Sequence, residues 1–81
     1  MVMANRELKV GTRVRLRAPS HALEVPTEAS RVGTVIGPAE WDGYYLIRLD
    51  APVIYHYGDG RTKETCDIRE DVENLEILPA A

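Results

Sequence analysis

From Thr12 to Arg17 the chain alternates polar and apolar without a break, Thr-Arg-Val-Arg-Leu-Arg, which is the period of a strand with one face buried. Val14 and Leu16 are the inward pair. Pro19 and Pro26 then bracket Ser20 to Val25, and proline cannot donate to a sheet ladder, so residues 18–30 are expected to form a long loop. Residues 31–37 are rich in β-branched side chains and closed by Gly37-Pro38, a second strand in which Gly33 marks a bulge or a close backbone approach. Residues 39–43 form a turn, with Asp42-Gly43 as its hairpin signal. Tyr44 to Leu49 returns as a third strand, apolar on both faces and therefore central. Val53 to Tyr57 has the composition of a fourth strand, and Gly58-Asp59-Gly60 turns it into a polar fifth, Thr62 to Ile68. Residues 69–74 are expected to make one helical or 3₁₀ turn before a short last strand at residues 75–78.

An 81-residue chain has room for one domain, here residues 9–79 behind a flexible segment 1–8. Hydrophobic residues make up 44% and charged residues 28%, which places the chain among globular domains rather than disordered ones. One cysteine, Cys66, rules out an intrachain disulfide and a metal site of paired cysteines. No metal and no cofactor is expected. The opening Met-Val-Met-Ala-Asn-Arg-Glu lacks the apolar core of a signal peptide, and no apolar run approaches the roughly 18 residues of a membrane span. A cytoplasmic protein without membrane contact is the expectation.

The net charge of −3 is unevenly spread: residues 1–48 carry seven Lys/Arg against five Asp/Glu, and residues 49–81 carry three against eight. The first part is thus weakly basic and the second acidic, an asymmetry able to survive as two faces of opposite sign. It does not imply bulk affinity for nucleic acid.

Short strands, a long loop after the first and a helical turn before the last resemble the SH3-like barrel plan. The resemblance is carried by Lys9 to Leu16, Arg31 to Ile36, Tyr45 to Asp50 and Glu73 to Leu78. It implies an all-β fold, a small five- to six-stranded barrel of the kind found in KOW modules, the β-subunit barrel of nitrile hydratase and the type II dihydrofolate reductases. Each relative differs where function is concerned. A KOW module joins its first strands by a short basic loop, whereas here about a dozen neutral-to-acidic residues intervene. The large helical part of the nitrile hydratase subunit is absent. The reductases bind folate and nicotinamide through Val-Gln-Ile-Tyr at a tetramer pore, where this chain has Thr65-Cys66-Asp67-Ile68. No catalytic or cofactor residue carries over.

Two constellations stand out. Trp41, Tyr44, Tyr45, Tyr55 and Tyr57 are all the aromatic residues, concentrated in the middle of the chain, and such side chains bury area while keeping a polar tip. Tyr45 is expected in the core, leaving Trp41, Tyr44, Tyr55 and Tyr57 as partner-binding residues. The second is Arg13, Arg15 and Arg17 on the outer face of the first strand with Arg31 nearby, a spacing that suits phosphates. An acidic chain offers these arginines carboxylates as cross-strand partners instead. His21 and His56 lie in no recognisable catalytic spacing. Cys66 has no cation beside it in sequence and reads as a small hydrophobe. Asp67, Glu70, Asp71 and Glu73 match no calcium-loop spacing and read as a solvated turn.

The leading expectation is a non-enzymatic interaction module that binds a protein partner or itself through its aromatic surface. The alternatives are a nucleic-acid-binding accessory protein using the arginines, and an oligomeric enzyme whose site forms at subunit contacts. Val53-Ile54-Tyr55-His56 is the expected sheet edge, and pairing there a route to a homodimer.

Overall fold

The computed structural model describes residues 8–18 and 22–79. Of the segment 1–8 expected to be flexible, residues 1–7 lie outside them, as does His21. Six strands, β1 (Arg13–Leu16), β2 (Leu23–Glu24), β3 (Val32–Pro38), β4 (Tyr44–His56), β5 (Thr62–Asp71) and β6 (Leu75–Ile77), make one curled half-barrel sheet. Two 3₁₀ turns, Ala29–Arg31 and Val72–Asn74, complete it. The fold is all-β, as the alternation patterns require.

β4 is the organising strand. The residues expected to form a third and a fourth strand are one continuous strand, because the register against β5 shifts between Arg48 and Val53 instead of ending there. Leu49 to Pro52 all fall opposite the single residue Cys66. Proline is tolerated at such a bulge, where no ladder bond is asked of its nitrogen. β5 lines one side of β4 throughout, while β3 covers Tyr45 to Leu49 and β2 covers Ile54 and Tyr55 on the other. Val53 to His56 is therefore not an edge, since β2 and β5 flank it. Within the expected loop 18–30, the described residues 22–30 are more structured than a proline-bracketed loop suggests, holding β2 and the start of the first 3₁₀ turn. That turn is tied by the fully buried Ser30, whose Oγ donates to the Thr27 carbonyl at 2.6 Å and accepts from the Thr27 N–H at 3.0 Å.

The core is a single aliphatic cluster of Val14, Leu16, Leu23, Val35, Ile47, Leu49, Val53, Ile68 and Leu75. Leu8 and Tyr45 pack against it, the Leu8 N–H donating to the Tyr45 hydroxyl at 3.1 Å. β5 reaches Asp71, further than its polar sequence suggests, so the helical turn shrinks to Val72–Asn74. Asp71 caps that turn by accepting from the Glu73 N–H at 2.9 Å. Asn74 then stitches the turn to the chain leaving β1: its Oδ1 accepts from the Ala18 N–H at 3.0 Å and its Nδ2 donates to the Ala18 carbonyl at 2.8 Å.

Gly33 is the close approach its position in the strand suggests. It lies between Val14 of β1 and Leu49 of β4, and a Cβ there would sit 2.5 Å from the Arg48 carbonyl oxygen and 2.9 Å from the Leu49 Cα. Both contacts are backbone, so relief requires parting β3 from β4. Gly33→Ala is expected to lose about 2–4 kcal/mol of stability in urea unfolding, whereas Gly58→Ala stays within about 0.5 kcal/mol, since its Cβ would meet nothing within 4 Å.

Candidate functional site

The turn between β3 and β4 closes through the Ala39 N–H to the Tyr44 carbonyl at 2.9 Å and the Tyr44 N–H to the Trp41 carbonyl at 3.0 Å. Gly43, at φ 81°, supplies the left-handed residue this needs. The turn lifts Trp41 out of the sheet, where its ring meets Tyr44 edge-on at 5.7 Å between centroids. At the other end of β4, Tyr55 and Tyr57 are two apart and share a face, their centroids 5.1 Å apart. The hairpin beyond them closes with the Tyr57 N–H donating to the Arg61 carbonyl at 2.8 Å. The same hairpin sets the Arg61 guanidinium over the Tyr57 ring at 5.1 Å, where Asp59 holds it at 2.7 Å.

A groove of about 350 Å³ joins these ends. Trp41, Tyr55 and Tyr57 line it, 57%, 40% and 38% exposed respectively, and the fourth expected partner-binding residue, the half-buried Tyr44, braces Trp41 from behind. Leu23 of β2 and four consecutive residues of β5, Asp67, Ile68, Arg69 and Glu70, complete the lining. Consecutive strand residues point to opposite faces. The cavity is thus lined by β5 residues that point to both faces of that strand. Sequence reasoning missed these β5 residues because it ended the strand at Ile68 and placed Asp67 and Glu70 in a solvated acidic turn.

Among the described residues β5 has β4 as its only strand neighbour. Two bonds fix which of its backbone groups face outward. The Tyr57 N–H donates to the Arg61 carbonyl and the Val72 N–H to the Gly43 carbonyl. Alternation from these points turns Lys63, Thr65, Ile68 and Glu70 toward β4 and Thr62, Glu64, Arg69 and Asp71 away from it. The phase changes at Cys66 and Asp67. There the Thr65 hydroxyl stands in for a partner strand, accepting from the Asp67 N–H at 3.1 Å and donating to its carbonyl at 3.3 Å.

Two of the four arginines expected on the outer face are matched by carboxylates. Arg13 donates to both oxygens of Asp50, at 2.9 and 2.5 Å, and to the Thr34 hydroxyl at 2.8 Å. Arg15 pairs with Glu28. Arg31 is not on a strand at all: it ends the first 3₁₀ turn, with its Nε buried and unpartnered. Arg17 lies exposed just past β1. Register sets Arg13, Thr34, Arg48 and Asp67 in one row across four strands, and Arg48 closes it on Asp67 at 2.9 Å. His56 Nε2 lies 2.9 Å from Glu24 Oε1. The Cys66 thiol is free and half-buried, and no cluster of metal-ligating side chains occurs among the described residues. None of the helical segments described is long and apolar enough to cross a membrane.

No known protein family, curated protein or solved structure matches this chain.

Hydrogen bonds from the paired guanidiniums hold the carboxyls of Asp50, Asp67 and Glu40 below the ordinary range. Whatever these pairs contribute is present above the ordinary carboxylate pKa and is lost as pH falls through the lowered values. Glu70 runs the other way. Half-buried in the groove wall, it is pushed upward by desolvation, which outweighs the bond it accepts from Asn74 Nδ2 at 2.9 Å. Its contribution is full below the ordinary glutamate pKa of about 4.3 and falls as pH rises through the raised one. Glu70→Gln is therefore expected to raise the urea midpoint of the dilute protein at pH 7 and to leave it unchanged at pH 3. A lower midpoint at pH 7 contradicts this assignment.

Proposed function

We propose that the protein is a small non-enzymatic interaction module that takes an extended segment of a protein partner along the outer edge of β5. The segment's side chains rest against Trp41, Tyr55 and Tyr57. The observation that carries this reading is the placement of the aromatic groove: it opens on a strand whose outward amides and carbonyls have no strand partner among the described residues. Strand addition draws its affinity from main-chain hydrogen bonds and its selectivity from pockets for alternate side chains. Tyrosine and tryptophan are the residues that most often anchor such contacts. The order of elements, with a long loop after β1 and a 3₁₀ turn before β6, resembles the SH3-like plan, although a fold of that kind hosts many functions and only the site argues for this one. A single cysteine left as a free thiol suits a reducing, cytoplasmic setting. The nucleic-acid reading is less favoured, because Arg13 and Arg15 already spend their charge on Asp50 and Glu28.

A photoreactive benzophenone amino acid in place of Tyr57 tests the proposal, with the same group at Ile77, exposed on β6, as the control. Irradiation in cell extract is expected to give discrete adducts from position 57 alone, mapping to an extended segment of the captured chain. Adding Trp41→Ala is expected to cut their yield about tenfold, the ordinary cost of losing an aromatic anchor. Equal labelling from both positions contradicts the reading.

A further inference from the structure

Resting on the reading of this edge as a docking surface, we propose that the segment it takes is β5 of a second copy of the same chain. Two half-barrels then join antiparallel, with Lys63 of each opposite Glu70 of the other and Glu64 opposite Arg69. Laid against its own reverse, Thr62-Lys63-Glu64-Thr65-Cys66 faces Asp71-Glu70-Arg69-Ile68-Asp67. Every pair of charged residues that meets in this register is of opposite sign, and opposite charges directly across a strand pair are stabilising while like charges are not.

The backbone independently selects the same register. Hydrogen-bonded pairs require outward groups on both strands, and here outward Thr62 and Glu64 meet outward Asp71 and Arg69. Lys63 and Thr65 meet Glu70 and Ile68, all turned toward their own β4. In an unbroken strand outward residues are two apart throughout, and outward Glu64 would meet an inward Arg69. The change of phase at Cys66 and Asp67 removes that conflict, and it falls where the two-fold axis would pass. The side chains agree as well. Thr65 lies opposite the fully buried Val53 and Ile68 opposite the fully buried Ile47, so Lys63, Thr65, Ile68 and Glu70 share the core-facing side. Glu64 and Arg69 share the outer one.

The individual groups are ready for such partners. Among the described residues Glu70 accepts a bond from Asn74 but has no cation within ion-pair distance, and Lys63 has no carboxylate. Arg69 donates its Nε to Glu40 at 2.8 Å, and a guanidinium carries five donors, leaving its terminal groups for Glu64. Charged edge strands ordinarily repel passing chains. On this strand the same charges also reject β5 itself out of register, since pairing Arg69 with its own copy sets Asp67 opposite Asp71.

Charge reversal in single and mixed chains tests the proposal by sedimentation and light scattering, with circular dichroism to confirm folding. The native protein is expected to move from 9.1 kDa to twice that mass as concentration rises. Lys63→Glu places like charges at both symmetric contacts and is expected to raise the dimer dissociation constant about tenfold or more. Glu70→Lys does the same alone, but an equimolar mixture of the two variants restores every opposite-sign pair and is expected to recover dimerisation as a heterodimer. If Glu70→Lys fails to fold, Glu64→Arg mixed with Arg69→Glu poses the same question on the outer face. A native chain that stays monomeric to about 1 mM, single variants that dimerise as well as native, or folded mixtures that do not recover would each overturn the proposal. A monomer whose position 57 still captures a different protein overturns the second copy alone and leaves the interaction module standing; a monomer that captures nothing overturns both.

Discussion

The structure depends on one strand that does not keep its register. β4 pairs with β2, β3 and β5, and a flat strand of its length could not serve all three and still wrap a core. The run from Leu49 to Pro52, opposite the single residue Cys66, lets the strand turn, because inserting residues on one strand bends it and increases local twist. The bend directs Ile47 and Val53, one from each half of β4, into the same aliphatic cluster. Gly33 sets how closely β3 approaches the first half, and β2, though only Leu23 and Glu24, suffices to cover the second. A core this small, without phenylalanine, is closed by curvature rather than by bulk.

That curvature also shapes the surface proposed to take a partner. Trp41 from the turn before β4 and Tyr55 and Tyr57 from its far end line one groove together with residues of β5. The polar sequence of β5 then serves two ends. Toward the outer face its Asp67 and Arg69 join ion pairs with Arg48 and Glu40, a solvated lattice whose individual contributions are small. Along its free edge the same strand carries the charges on which the proposed self-pairing rests, Lys63 and Glu64 toward one end and Arg69 and Glu70 toward the other. Burial of Glu70 in the groove wall is the visible cost, a carboxyl held where water reaches it poorly.

Much of the fold was legible in the residues, and the exceptions have physical reasons. Alternation located β1 and β3, the Asp42-Gly43 turn was marked by composition, and the apolar character of both faces placed residues 44–49 at the centre of the sheet. Pro52 hid the continuity of β4, since a proline in an apolar run ordinarily ends a strand, and only a bulge makes it harmless. The last part of β5 was hidden by its charges: periodicity arguments weigh apolar positions, and Arg69 to Asp71 offer none. For the same reason the true edge is not legible in the residues, and the β-rich Val53 to His56 resembles one. That Trp41, Tyr55 and Tyr57 lie at the surface was legible from residue type. Their meeting in one groove depends on the bend in β4 and the lift of the Trp41 turn, which no local pattern announces. The strand positions of Arg13 and Arg15 were legible, but not that of Arg31, which ends a 3₁₀ turn, nor the carboxylates of Asp50 and Glu28, which come from distant positions in the chain.

Amide hydrogen exchange resolved by residue addresses the central claim, that the outer edge of β5 is unpaired within one chain and available to a partner. In dilute solution the amides of Lys63, Ile68 and Glu70, turned toward β4, are expected to exchange slowly while those of Thr62, Glu64 and Arg69 exchange fast. Those three should gain protection only as concentration rises or a partner is added. Strong protection of Glu64 and Arg69 in the dilute chain would show that another segment already covers this edge, and would contradict the account.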